Sequence, residues 1–549
     1  MSKYVIGLDF GTQSCRSALV DIDTGEEIHA SIFNYRDGVI DDHLPGSNRK
    51  LPFDSALQNP RDYEDGIIHT IKEILLKTQI NPNTVISLGL DFTSCTMMPI
   101  KADSTPLCCI KKYREDPNSW TKLWKHHAAN DYAIHFNEIA QSRNEDFLRR
   151  YGGKISSEWM MPKIMEIADR SPEIYDGTDS FIEGGDWMVF RLTGNLTRSI
   201  SFLGYKAIWD NGFPSVEFFK TLNPKLENIY KKLSGKVLKL GEIAGLLNSD
   251  YQKKLNLPKI PVASANIDAH VAVPATTVVE PGKMAMIMGT STCHMTLRDD
   301  FVEVPGVGGI VKDGIISGYY GYEAGQSSVG DAFEWFIKNS LPKSYYDQAA
   351  DKDKSIHDLL TKKASSLKPG QSGLLCLDWL NGNRSILMDA DLSGMILGIK
   401  LSTKPEEIYR ALIEATAFGT RKIIETFKKY GIQIDSLYAC GGLAQKNEML
   451  MQIYTDITGR PISIAKSTQT GCLGSAMHAA VAVGYYKDIK EAAKKMAQLK
   501  NKRFTPEKKN TEIYNKLYRQ YSKLHDYFGL SDNSEMKALS NIRKDIFNE

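Results

Sequence analysis

The chain has 549 residues, too many for one hydrophobic core, which stops growing at roughly 250–300 residues, so two large domains are expected. Hydrophobic residues at 42%, aromatics at 9% and charged residues at 24% are ordinary globular values; they exclude a disordered, collagen-like or disulfide-scaffold chain. Against 68 basic side chains stand 66 acidic ones, and the formal charge of +2 leaves no electrostatic footprint for nucleic acid or an anionic membrane.

Asp9 falls where a signal peptide needs an apolar core, and no apolar run approaches the ~20 residues of a membrane span. The eight cysteines include no C-x-x-C pair. A soluble, reduced, cytoplasmic protein is the expectation. In chain order, apolar residues 4–8 lead into a polar turn, Asp9-Phe10-Gly11-Thr12-Gln13-Ser14, and residues 15–22 return as a second strand. Residues 63–77 carry a helical apolar period, and residues 84–92 form a buried strand that includes Asp91. Helical and loop-rich sequence runs to about residue 255; a buried strand over 258–265 then precedes Asn266-Ile267-Asp268-Ala269-His270.

The next segment repeats the beginning. An apolar strand over 283–288 runs into Gly289-Thr290-Ser291-Thr292-Cys293, and residues 289–299 match residues 11–21 at five of eleven positions: Gly, Thr, Cys, Leu and Asp. Unrelated hairpins can share turn residues, but the offset is about half the chain, which favours an internal duplication. Two similar domains are expected, residues 1–275 and 276–549, each presenting one Gly-Thr turn to the other. Further on, residues 405–429 form a long amphipathic helix, 436–439 a short strand, Gly441-Gly442 a turn and 447–458 a helix. Gly471-Cys472-Leu473-Gly474-Ser475-Ala476 opens a helix rich in small residues. Residues 491–549 are basic, yet Ile513, Leu517, Tyr521, Leu524 and Phe528 share one helical face, so this end reads as a packed helix with a solvated side.

No Walker A sequence and no strand-placed G-x-G-x-x-G occurs, which disfavours a P-loop NTPase, a protein kinase and a Rossmann dehydrogenase. The chain offers instead a strand, Asp-x-Gly-Thr-x-Ser, and a second strand. Backbone N–H groups around Gly11 and the hydroxyls of Thr12 and Ser14 can converge on phosphate oxygens. Asp9, at the strand end, is placed to hold a hydrated Mg²⁺ through water. Gly289-Thr290-Ser291 supplies the same turn without the aspartate, so two turns across a cleft would grip one triphosphate. Gly441-Gly442, with the helix after it, would let the backbone approach an adenine ring. This order of parts resembles the actin–hexokinase–Hsp70 ATPase superfamily. The resemblance implies an α/β fold of two ribonuclease-H-like domains with the active site in the cleft between them.

Within that superfamily, Gly394-Met395-Ile396-Leu397-Gly398-Ile399 and Glu407-Ile408-Tyr409-Arg410-Ala411-Leu412-Ile413-Glu414 resemble the C-terminal signature of the FGGY carbohydrate kinases. Gly89-Leu90-Asp91-Phe92-Thr93-Ser94, Tyr151-Gly152-Gly153-Lys154, Gly204-Tyr205-Lys206-Ala207, Gly321-Tyr322-Glu323-Ala324 and Asp378-Trp379-Leu380-Asn381-Gly382-Asn383-Arg384 are similar to the ribulokinase branch of that family. Many other FGGY kinases carry Trp-x-Asp-x-Arg for the sugar; here the stretch reads Trp124-Lys125-His126-His127-Ala128, which argues against a xylulokinase-like or glycerol-kinase-like sugar site.

The resemblance implies ATP-dependent phosphorylation of L-ribulose in L-arabinose degradation, with Asp268 as general base. It assigns Ser94, Lys206, Asp268 and Glu323 to the sugar. Gly11, Thr12, Ser14, Gly289, Thr290, Gly441, Gly442 and Asn447 go to the nucleotide, and Asp9 and Asp268 to Mg²⁺. A small sugar and ATP are the expected partners, without nucleic acid or membrane, and a homodimer is a family-level expectation. Each residue also has a plainer reading: Asp268 as a helix N-cap, Lys206 and Glu323 as solvated surface, Trp124 and Trp159 as core or as sugar-stacking rings. Kinases of D-ribulose, D-xylulose or ribitol are alternatives. The rival from another class is an actin- or Hsp70-type nucleotide switch, which would need neither Asp268 nor the Lys206/Glu323 set.

Overall fold

The computed structural model describes residues 2–531 and 535–548. The N-terminal apolar runs form an antiparallel meander of β1 (Tyr4–Phe10), β2 (Ser14–Asp21) and β3 (Glu27–Asn34). Helix α1 (Pro60–Thr78) packs on it, with Pro60 in its first turn and Asn59 at the cap accepting the Arg61 N–H. Strand β4 (Val85–Phe92) then pairs parallel with β1, placing Asp91 beside Asp9. Helix α2 (Ile200–Lys206) precedes β5 (Ile243–Leu246), β6 (Pro261–Ala263) and β7 (Asn266–Ile267). The sheet order is β5-β6-β4-β1-β2-β3, with β7 also on β4. The strand expected over 258–265 is thus broken. Ser264 turns its N–H to the Glu242 carbonyl and its hydroxyl to the Lys239 carbonyl, and pairing resumes at Asn266 to deliver the chain into α3 (Asp268–Ala275).

A second sheet follows from β8 (Gly282–Met288), β9 (Thr292–Arg298), β10 (Gly309–Lys312) and β11 (Tyr320–Gln326). It is completed by β12 (Ile434–Cys440), β13 (Ile462–Ala465) and β14 (Leu499–Phe504). Its order, β10-β11-β9-β8-β12-β13-β14, repeats the first sheet: β8, β9 and β11 stand for β1, β2 and β3, and β12, β13 and β14 for β4, β6 and β5. Pairing directions repeat too, parallel between β1 and β4 and between β8 and β12, antiparallel at both far edges. The duplication legible in the two Gly-Thr turns is therefore a duplication of whole sheets. One difference matters below: in β8, Ile287 stands where β1 has Asp9.

Around the second sheet lie α4 (Gly330–Ser340), α5 (Pro405–Lys429), α6 (Glu448–Thr458) and α8 (Lys508–Gly529), while α7 (Thr470–Ala482), between α6 and α8 in the chain, packs elsewhere. The buried side of α8 is carried by Tyr514, Tyr518, Tyr521 and His525, with Leu517, Leu524 and Phe528 partly buried against the same core; of the expected apolar face only Ile513 is exposed. Two of those tyrosines are tolerated inside because their hydroxyls find acceptors, Tyr514 on Glu414 at 2.8 Å and Tyr521 on Asp378 at 2.9 Å. Among the described residues no helix is long and apolar enough to cross a membrane.

Helix α7 is apolar on all sides, the mark of a helix buried all round. It comes late in the chain yet lies on β1 and β4, and Cys472, Leu473, Ala476, Met477, Ala479 and Ala480 join the core of the first sheet. Two glycines make this possible. A Cβ at Gly7 would stand 1.8 Å from the Cys472 carbonyl oxygen, and one at Gly89 2.1 Å from that of Ser475. Helix backbone therefore rests on strand backbone, and Ser475 Oγ donates to Asp91 Oδ2 at 2.7 Å. Gly89→Ala must push the helix off the sheet, and we expect a loss of ~1–3 kcal/mol of stability in urea denaturation. Gly212→Ala, whose Cβ would meet nothing within 4 Å, should stay within ~0.5 kcal/mol of the parent.

Candidate active site

The two Gly-Thr turns close the β1–β2 and β8–β9 hairpins. Gly11 N–H donates to the Ser14 carbonyl at 3.0 Å, and Gly289 N–H to that of Ser291 at 2.9 Å, so both donors are spent inside the turns. Neither glycine has a left-handed φ, and a Cβ would meet nothing nearer than 3.4 Å at Gly11 or 3.7 Å at Gly289. Fold geometry alone does not require glycine at either place. The first turn is braced: Trp124 Nε1 donates to Thr12 Oγ1 at 3.0 Å and Gln58 Nε2 to the Thr12 carbonyl at 2.7 Å. Trp124 thereby braces the turn through its in-plane N–H, a contact that does not use its ring faces. Ser14 is buried at the start of β2, whereas Thr290 is exposed. The Thr290 carbonyl accepts from Val329 and Asp331 N–H at 2.8 and 3.2 Å, which ties the second turn to the start of α4.

Three carboxyls meet at the strand ends of the first sheet. Burial pushes Asp9 upward against the pull of Arg16, whose guanidinium is 3.4 Å away. Asp91 lies fully buried beside it and is pushed well above the usual carboxylate range, by burial and then by the charge of Asp9. Asp268 opens α3 but is not its cap. Ile267 holds that position, and Asp268 Oδ1 accepts the N–H of its own neighbour, Ala269, at 2.7 Å. Burial, and next the Asp9 charge, raise Asp268 to about 7. Among the described residues no group of three or more His, Cys, Asp and Glu side chains could hold a metal unaided. Mg²⁺ takes one or two protein carboxylates and fills its octahedron with water and phosphate oxygens. Asp9 and Asp268 therefore fit an ion that arrives with a nucleotide.

Of the sugar residues expected from the sequence, Lys206 meets Glu323 in β11 and Asp268 feels its charge. Lys206 Nζ, at the end of α2, lies 2.9 Å from Glu323 Oε2, and His270 Nε2 of α3 lies 3.2 Å from the same oxygen. Arg384 donates to Oε1 at 3.0 Å. Lys206 is 2% exposed and Glu323 4%, so neither is a surface charge. Burial alone would raise Glu323, but Lys206, His270 and Arg384 hold it well below the carboxylate range. Burial likewise works against the charge on Lys206, and Glu323 more than offsets it. Burial lowers His270 and keeps its ring neutral. The Trp159 ring is buried, with Lys206 Nζ 5.7 Å from its centre, and steadies that cation. Ser94 is half-buried in the turn after β4, where the Lys163 ammonium holds the Cys95 carbonyl at 2.5 Å and the Leu123 carbonyl at 2.8 Å.

In the Gly441-Gly442 turn, Gly441 is explained by packing, since a Cβ there would lie 2.3 Å from the Met288 carbonyl oxygen. Gly442 is exposed, with open space around it. Asn447 spends its carboxamide on the fold: Oδ1 caps α6 by accepting the Leu450 N–H at 3.0 Å, and Nδ2 reaches Thr361 Oγ1 at 3.4 Å.

This geometry has relatives. Residues 284–483 match the C-terminal domain of the FGGY family of carbohydrate kinases. The chain is 51% identical to the ribulokinase of Halalkalibacterium halodurans, across 99% of this chain and 98% of that one. It is 45% identical to the ribulokinase of Mycolicibacterium smegmatis, across 98% and 96%. The chain belongs to the ribulokinase family of FGGY carbohydrate kinases. Solved structures share the fold at lower identity. Xylulose kinase from Lactobacillus acidophilus superposes with a TM-score of 0.77 at 20% identity, over 95% of this chain and 98% of that one. Glycerol kinase from Plasmodium falciparum gives 0.75 at 17%, over 95% and 98%.

Sequence reasoning gave no role to four residues of this FGGY cleft: Arg16, Asp91, His270 and Arg384. Asp91 had a readable signal, an aspartate ending a strand that otherwise reads as buried. Arg16 follows from the β1–β2 hairpin, whose register sets it opposite Asp9, whereas His270 and Arg384 are brought in by pairing across the chain, which no local pattern encodes.

One further carboxyl lies beneath the cleft. Glu183 is buried with no hydrogen-bond partner on either oxygen, and burial raises it to about 8 despite Lys163 and Lys206 nearby, with Asp186 adding to the rise. Asp186 is raised by burial to about 7. Folded protein thus keeps protons that unfolded chain would release above its ordinary carboxyl range, so stability falls as pH rises toward 8. The buried histidines act oppositely, but their effect is complete near pH 7, just past the ordinary imidazole value. Cys109, lowered to about 6, also acts oppositely up to the ordinary thiol range, so the Glu183 contribution is read as a difference: between pH 7 and 8.5 the melting temperature of Glu183→Gln should rise relative to that of the parent, as read by scanning fluorimetry across buffers.

Proposed function

We propose that this chain transfers the γ-phosphoryl group of ATP to L-ribulose, giving L-ribulose 5-phosphate, as a step in L-arabinose degradation. The observation that carries the reading is the ionised Lys206–Glu323 pair, held at 2% and 4% exposure beside Asp268 in a cleft between two turn-bearing sheets. A nucleotide switch has no use for such a set. A polyhydroxy substrate does, because its hydroxyls need fixed donors and acceptors. The two relatives above are ribulokinases by name, which supports the choice of sugar.

In this reading residues 1–275 hold the first phosphate turn and most of the sugar site, to which Glu323 is added from residues 276–549, the half that carries the second turn and the adenosine. Lys206, Glu323 and Ser94 orient the ketose. Thr12 and Thr290, with the N–H groups of their turns, hold the phosphates from opposite sides, Ser14 supporting the first turn from within. The adenine lies on Gly441-Gly442, a wall that Asn447 stiffens by capping α6. Asp9, with Asp268, would hold Mg²⁺, which when bound neutralises charge on the phosphate oxygens. Asp268 takes the proton of the 5-hydroxyl as its oxygen attacks the γ-phosphorus. The new P–O bond forms to the sugar, the bond to the bridging oxygen breaks, and ADP leaves with that electron pair.

A coupled ATP-consumption assay over L-ribulose, D-ribulose, D-xylulose, ribitol and glycerol should give the highest kcat/KM with L-ribulose. Best activity with D-xylulose or glycerol would overturn the sugar assignment; stimulation by none of them would favour the switch.

Asp268→Asn keeps the side chain's size and its acceptor for the Ala269 N–H but cannot take a proton. Its kcat should fall by at least ~10²-fold while nucleotide binding by calorimetry persists. A kcat within a few-fold of the parent would remove Asp268 from the mechanism.

A further inference from the structure

Arg384 has so far served only as one of the donors to Glu323, and its surroundings point to more. It sits on a loop clamped to the second sheet. Ser327 Oγ donates to the carbonyls of Asn381 and Gly382 at 2.7 and 3.0 Å, and Gly325 N–H donates to Ser385 Oγ at 3.1 Å. Asn383 and Asp389 exchange backbone hydrogen bonds at 2.8 and 2.9 Å, which closes the loop on itself. The aliphatic part of Arg384 lies flat over Gly325, where a Cβ would stand 3.2 Å from its Cδ. The side chain is therefore held by its clamped loop at one end and by its bond to Glu323 at the other.

Its position is specific. In the β9–β11 pairing Gly325 lies opposite Cys293, three residues past Thr290, and Glu323 lies opposite Met295. Arg384 thus stands between the sugar-side carboxylate and the strand that leaves the second phosphate turn. Asp268, Cys293 and Glu158 all feel its charge. The bond to Glu323 uses one of five guanidinium donors, and the side chain is 30% exposed while its partner is 5%.

Resting on the kinase reading above, we propose that the spare donors of Arg384 bind the phosphoryl group as it passes from nucleotide to sugar, and the phosphate ester of the product. A planar fork suits phosphate oxygens better than a point charge does. Were Arg384 only the counter-charge of Glu323, its loss would loosen the sugar and the sugar phosphate alike.

Calorimetry of L-ribulose and of L-ribulose 5-phosphate on the full chain separates the two roles, alongside steady-state kinetics. In Arg384→Gln the sugar phosphate should bind at least ~10-fold more weakly, L-ribulose within ~3-fold of the parent, and kcat should fall at least ~10²-fold. Arg384→Lys, which keeps the charge and the reach to Glu323 without the fork, should show the same pattern at smaller size; it decides the matter should Arg384→Gln fail to bind ADP as a folded protein does. Equal losses for sugar and sugar phosphate, or no loss for either, would overturn the proposal. Failure of the substrate reading looks different: the parent enzyme would itself leave L-ribulose unphosphorylated, and the paired titrations would then be run with the sugar it does accept and that sugar's phosphate.

Discussion

Backbone lying directly on backbone is the constraint on which the cleft depends. Positions 7 and 89 carry no side chain, so α7 settles onto β1 and β4 at carbonyl distance. Its first turn then abuts Asp9, and Ser475 reaches Asp91. A late segment of the chain thereby roofs the strand ends of the first sheet and removes water from the carboxyls there. The raised values of Asp9, Asp91 and Asp268 all begin with that burial. Were helix and sheet separated by ordinary side chains, the same aspartates would stand in solvent and behave as ordinary surface acids.

Two carboxyls then show how neighbours decide what burial does. Glu323 and Asp268 are both deep in the structure, yet one is held far below the usual range and the other lifted to about 7. Cations explain the contrast: Lys206 and Arg384 converge on Glu323, while the largest charge felt by Asp268 is that of Asp9. A fixed anion suits a group that must only accept hydrogen bonds, and a poised one suits a group that must take a proton. Pairs of carboxyls pushed apart in this way mark a division of labour.

Much of this was legible before any coordinates. The strands, the long helix over Pro405–Lys429 and the two turns follow from apolar period and glycine placement, because those patterns are local. The half-length repeat foretold sheets of matching order. Lys206 and Glu323 were found through family motifs, since by type alone they would pass for solvated charges. What stayed hidden depends on contacts made across the chain. Trp124 read as core or as a stacking ring, and its N–H also holds Thr12, a partner 112 residues away in sequence. Asn447 looked like a nucleotide contact, but its carboxamide caps the helix that begins beside it. Arg384 earned no role because nothing near it in sequence announces that Glu323 lies opposite.

The substitution of Ile287 for Asp9 at matching places in the two sheets has a consequence for the chemistry as a whole. A cleft between two copies of one unit is, to first order, symmetric, and a symmetric cleft offers a transferred group no preferred direction. Keeping the acid in one copy and an aliphatic chain in the other breaks that symmetry at the point where the halves face each other. The half with Asp9 gathers carboxyls at its strand ends, whereas the other presents Glu323 tied to Arg384, so the two faces of a once-repeated unit are chemically unlike.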